Sequence, residues 1–254
     1  MYLGLAWHFW NTRWQREGAS GLRGWERAAV LAPVALHGWL LYHGVFGKEL
    51  RFGFAQALSV MMFIGVALYW LESLFYSLEG MLPLAALAAP LPALFPGLAS
   101  SGAHAQVTEF KLHLTLAMIA YGLFVIALLH ATLMAVAERQ LHRKGTVAFP
   151  HLPPLLTLES LLFRMIGAAF VFLTLTLVTG IAFSEELFGR AMRFEHKTVF
   201  ALLSWLTFGL LLAGRWRYGW RGRTALRWTL SGFVMLLLAY VGSRFVLEVL
   251  LGRS

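Results

Sequence analysis

No cysteine occurs anywhere in the 254 residues. That excludes a disulfide framework, a thiolate nucleophile and a cysteine-ligated metal. Aspartate is absent as well, because all twelve acidic residues are glutamates. Aspartate-based phosphoryl chemistry is thereby removed, and the inventory is thin for a proton pump. Charge of either sign is scarce, at 13% of the chain against about a quarter in ordinary soluble domains. No H-E-x-x-H spacing offers a hydrolytic zinc site. A cleavable leader is not expected either, since the apolar first ten residues lack a basic flank and a small-residue cleavage site.

What fills the chain instead is apolar. Hydrophobic residues make up 59%, with a mean hydropathy of +0.69. Runs of about 20 apolar residues recur along the whole length, the signature of membrane-spanning helices. A β-barrel would show about ten-residue segments of alternating polarity, and there are none. The expected fold is an all-α polytopic membrane helix bundle in one domain, 1–254. Seven complete spans are predicted, over 28–47, 52–71, 78–97, 110–136, 158–183, 197–214 and 228–250. Pro83, Pro90, Pro92 and Pro96 should make the third irregular. The opening MYLGLAWHFW provides about half a span, so it is read as a truncated first helix. Either translation begins upstream, or a stub tucks beside the second segment.

The net charge of +9 invites a nucleic-acid reading, but in a membrane chain Lys and Arg mark cytoplasmic loops. Twelve of the 21 basic residues fall within 11–27, 137–156 and 215–227. These segments are expected to face the cytoplasm, and 98–109, 184–196 and the C-terminus the outside. Lipid is therefore the expected partner and nucleic acid is not. The one loop against this, 72–79, carries Glu72 and Glu79 and no base, and acids count for little in the rule. Within GWRGR, residues 219–223, three roles compete: topology anchor, anionic-lipid contact and partner site.

With that orientation the nine histidines sort by depth. His37 lies about 15 Å along a helix from Arg27, near mid-membrane. His130 lies about 12 Å from the same face. His113 and His196 open helices at the outer end. His43 and His104 belong to the outer side, and His8, His142 and His151 to the inner. A neutral histidine at depth can simply hydrogen-bond a neighbouring helix. Histidines on separate helices can also ligate haem from two sides, in a slot that an apolar bundle provides.

Four segments taken in order carry a resemblance: FKLHLTLAMIAYGLFVIALLHATL, LESLLFRMIGAAFVFLTLTLVTG, HKTVFALLSWLTF and YGWRGRTALRWTLSGFVMLLLAYVGSRFV. Together they resemble the cytochrome c assembly protein family, which includes the CcsA and CcmC haem-handling proteins. The YpjD-type inner-membrane members look most similar. The resemblance covers about 27–250 and implies an eight-helix protein of the bacterial inner membrane, here seven complete helices plus the truncated one. It implies histidine-bound haem, presented outside for cytochrome c maturation, in an assembly or accessory role rather than an enzymatic one. His113 and His37 take the positions of family histidines and are the implied ligands to haem iron. His196 is a candidate replacement at the outer face, and His130 one at depth, where it would pair with His37. Arg190, Arg193 and Lys197 are candidates to meet haem propionates. The family's tryptophan-rich W-x-W-D-P-K-E segment is replaced by Phe194-Glu195-His196-Lys197, and two expected histidines are missing. The alternative is a cofactor-free membrane scaffold or regulatory partner of another inner-membrane protein. It would be held by helix packing at small residues such as Gly167, Ala168 and Ala169.

Overall fold

The computed structural model describes residues 1–14, 24–45, 51–52, 54–76, 103–104, 108–141, 154–182 and 196–239. Seven α-helices fall there: α1 Tyr2–Phe9, α2 Gly24–Val45, α3 Phe54–Ser73, α4 Thr108–Leu141, α5 Leu155–Ala182, α6 His196–Tyr218 and α7 Gly222–Leu237. Four of them (α3, α4, α5 and α6) are long and apolar enough to cross a membrane. The expected third span, 78–97, lies outside the described residues. So does the end of the last, whose helix begins at Gly222 rather than 228. An apolar face formed by Ala225, Thr229, Gly232, Phe233 and Leu236 is buried, and that face carries the helix six residues further back.

The described residues that form regular structure are helical with one departure. Arg51–Phe52 (β1) and Ala103–His104 (β2) form a two-residue antiparallel pair, Arg51 opposite His104. The first helix, α1, runs for eight residues and continues as a π-helix over Trp10–Trp14. It lies antiparallel beside α2, with Tyr2 against His37 and His8 against Glu26. Phe9 is fully buried there.

Pair contacts fix helix directions. The α2–α3 pair is antiparallel, since Trp70 Nε1 donates to the Arg27 carbonyl at 3.1 Å and His37 meets Ser59. In contrast, α3 and α4 run parallel: Ile64 packs at Gly122 and Glu72 lies at His130, eight residues further along each helix. One end of the bundle therefore collects the starts of α3, α4 and α6 with the ends of α2 and α5. The opposite end carries the arginines of α6 and α7. At the centre Phe124 of α4 stacks on Phe208 of α6, centroids 3.9 Å apart. There α7 is fixed by Tyr121 donating to the Leu236 carbonyl at 3.0 Å and Ser204 to that of Gly232 at 2.9 Å.

Of the three small residues that the sequence singled out for helix packing, Ala169 is buried in the core and Ala168 packs against it, but Gly167 makes no close approach. A Cβ on Gly167 would meet nothing within 4 Å, because that glycine faces outward. Gly122 and Gly232 hold that role. A Cβ on Gly122 would come 2.3 Å from Cγ2 and 2.6 Å from Cβ of Ile64, a stiff β-branched neighbour on α3. Gly122→Ala is therefore expected to destabilise the bundle by about 1–3 kcal/mol. Ile64→Gly removes both clashing carbons at its own cost in packing, so the double variant should lose less than the sum of the two single losses. Thermal melts of the single and double variants in detergent check this, and an unchanged melt for Gly122→Ala would contradict the packing.

Candidate functional site

Each histidine singled out by sequence has a different local chemistry. His37 is buried, and both ring nitrogens are engaged. Its Nδ1 lies 3.3 Å from Tyr2 Oη and its Nε2 2.8 Å from Ser59 Oγ. Tyr2 and Phe63 also press edgewise on the ring. The imidazole thus pins α1, α2 and α3 together, and to ligate iron it must surrender one of these bonds.

His130 is wholly buried in α4. Its Nδ1 donates to the Ile126 carbonyl one turn earlier, at 2.7 Å. Its Nε2 faces Glu72 Oε2 at 3.3 Å, without the geometry of a formed hydrogen bond. Glu72, read from sequence as a loop acid, is in the last turn of α3 and buried. Ser59 and Glu72 are 13 residues apart on α3, about 20 Å along its axis. His37 and His130 touch those two residues, so they cannot share one iron. The expected deep pair is not formed.

His113 is arranged differently. It is half-buried in the first turns of α4, with Nδ1 3.0 Å from Thr179 Oγ1 near the end of α5. Thr179 has one hydroxyl proton, and its oxygen lies 2.9 Å from the Leu175 carbonyl and 3.1 Å from that of Thr176. Carbonyls only accept, so the threonine proton goes to them and a lone pair faces the ring. Nδ1–H then donates to Thr179, and in the neutral ring Nε2 is the bare nitrogen. The ring also hydrogen-bonds the Thr176 backbone, so α5 holds it through two residues. This is how a metal-ligating imidazole is oriented, with the far nitrogen donating to a fixed acceptor. Gly180 completes the cradle, since a Cβ there would come 3.2 Å from His113 Cε1.

The start of α6 reaches the same end. Trp205 Nε1 donates to Thr174 Oγ1 at 2.9 Å, which aligns α5 and α6 antiparallel. At 1.5 Å per residue from that link, His196 begins about 6 Å beyond the level of Thr179 and His113. His196 is exposed. Lys197 lies near enough to act electrostatically on His113. Among the described residues there is no cluster of three or more His or Glu side chains able to hold a bare metal ion. The end of the bundle thus offers one oriented imidazole nitrogen, a second imidazole and an ammonium group. Those groups suit a planar, anionic iron chelate better than a free ion. Arg190 and Arg193 lie outside the described residues. Sequence reasoning missed Thr179 and Gly180, because the signal is a contact across 66 residues with no motif.

Comparison with known proteins adds a second line. Residues 27–251 match the family model described as Cytochrome C assembly protein. Inner membrane protein YpjD of Escherichia coli is 34% identical over 148 residues, covering 58% of this chain and 56% of that protein. A 28.8 kDa protein of Azospirillum brasilense, described as uncharacterized, is 32% identical over 63% of this chain and 65% of its own length. The cytochrome c biogenesis protein CcsA of Chlamydomonas reinhardtii is 29% identical over 56% of this chain and 40% of its own length. Each match thus covers less than two thirds of the relative. No solved structure matches.

Proposed function

We infer the function of this chain from the family to which it belongs, that of the Cytochrome C assembly protein. It is a haem-handling protein of the bacterial inner membrane, with the His113 end of the bundle facing outward. Bound haem would supply an iron able to accept imidazole nitrogen. The observation that carries this reading is the orientation of His113, whose bond to Thr179 leaves Nε2 bare at the end where α6 begins. His196 is the second imidazole on that side, and Lys197 is placed to meet a propionate. His37 serves in this reading as the polar pin among α1, α2 and α3.

The test is direct. Purified protein, with haem supplied during expression or afterwards, is expected to retain it through gel filtration. It should then show the sharp visible bands of an imidazole-ligated iron on reduction. Absence of any retained haem under both conditions would favour the cofactor-free scaffold.

A further inference from the structure

The arginine-rich end of the bundle is not used by the haem reading, and its charges do not balance. Arg215, Arg217, Arg221, Arg223 and Arg227 fall within 13 residues spanning the α6–α7 turn. Gly219 and Gly222, both at positive φ (64° and 53°), let the chain reverse tightly there. The turn is rigid: the Trp220 ring lies on Gly214, where a Cβ would come within 2.4 Å, and stacks between Tyr218 and Trp228.

Two glutamates neutralise part of this cluster. Glu159 of α5 takes Arg215 and Arg221, the latter at 3.3 Å, and Glu138 of α4 takes Arg223 at 3.5 Å. Five arginines against two glutamates leave three positive charges. Arg217 and Arg227 are exposed and pair with no described carboxylate. Between and beside them stand Trp216, 88% exposed, and Tyr218, 75% exposed.

Helix length decides what sits against this face. The 23-residue α6 is about 34 Å long, one hydrocarbon thickness and a little more. Its last turn, carrying Trp216, Arg217 and Tyr218, therefore emerges at headgroup level. Exposed Trp and Tyr at that level belong to the aromatic belt, and the arginines among them meet phosphates rather than a soluble partner. We propose that the α6–α7 turn is a binding site for an anionic phospholipid headgroup, with Arg217 and Arg227 as its phosphate contacts. The ion pairs to Glu159 and Glu138 hold the turn in shape and leave those two arginines for the lipid.

The full-length protein in nanodiscs of phosphatidylcholine with increasing phosphatidylglycerol tests this, with bound lipid counted by native mass spectrometry. Wild type should retain phosphatidylglycerol selectively. At about 1 kcal/mol per base near a surface, Arg217→Gln/Arg227→Gln should weaken retention roughly 30-fold. The Lys/Lys double variant should keep most of it. Both side chains are exposed, so the glutamine variant should melt like wild type in pure phosphatidylcholine. Equal retention by the glutamine variant would overturn the assignment. So would selective displacement by inorganic phosphate at matched ionic strength, which marks a free-anion site. Loss of a co-purifying protein with lipid retention unchanged would overturn it in favour of a protein contact.

Discussion

Replacing His113 with alanine is expected to abolish haem retention, a loss of more than tenfold in affinity, while the protein still folds. The ring is half-buried and bonds only the Thr179 hydroxyl and the Thr176 backbone, so little packing goes with it. Thr179→Val is the sharper variant. It keeps the shape of the side chain and removes only the acceptor that sets the His113 tautomer. Loss of such a supporting group weakens metal binding about 10–100-fold. The structural alternative for Thr179 predicts a lower melting temperature and no change in haem affinity. Gly180→Ala should displace the ring through the 3.2 Å contact and shift the haem bands without erasing them. His37→Ala should leave the bands and lower the melting temperature, because His37 joins three helices. A haem spectrum that His113→Ala leaves intact would remove His113 as the ligand and return attention to His37.

At the buried Glu72–His130 pair, single substitutions are expected to be more damaging than the double one. Glu72→Leu leaves His130 Nε2 buried in α4 with nothing to meet, and His130→Leu leaves a buried carboxyl group in the same position. Either orphan costs about 2–3 kcal/mol. Replacing both by leucine removes the polar groups together and should recover most of the loss, since apolar packing can replace a buried pair at little cost. Chemical or thermal denaturation of the four proteins gives the coupling energy from the cycle. Additive losses in the double variant would mean that the two groups do not interact despite the 3.3 Å separation.

These expectations also mark what was legible in the sequence. Length and apolar runs placed α2 to α6 within about five residues at their ends, because a span must bury about 20 backbone units in hydrocarbon. The short helix Tyr2–Phe9 was legible for the same reason, as ten residues cannot cross. The start of α7 was misjudged by six residues, since hydropathy does not register an amphipathic turn rich in arginine. Of the small residues chosen for helix packing, Ala169 is in the core and Gly167 makes no close approach, because a small residue says nothing of which face it occupies. Gly122, within the segment first noticed for His113, held that role.

The sequence by itself determined the apolar, helical character of this chain and the family to which it belongs. Those follow from composition and from residue order along one chain. Only the tertiary structure decided what each histidine's ring nitrogens meet. His37, His113 and His130 are alike in sequence, each a lone imidazole in an apolar run. They part company through Ser59 and Tyr2, through Thr179 and through Glu72, partners 22 to 66 residues away. An imidazole can ligate only through a nitrogen that its neighbours leave unprotonated and unbonded. That property belongs to the helix across the gap, which no spacing within the histidine's own helix encodes.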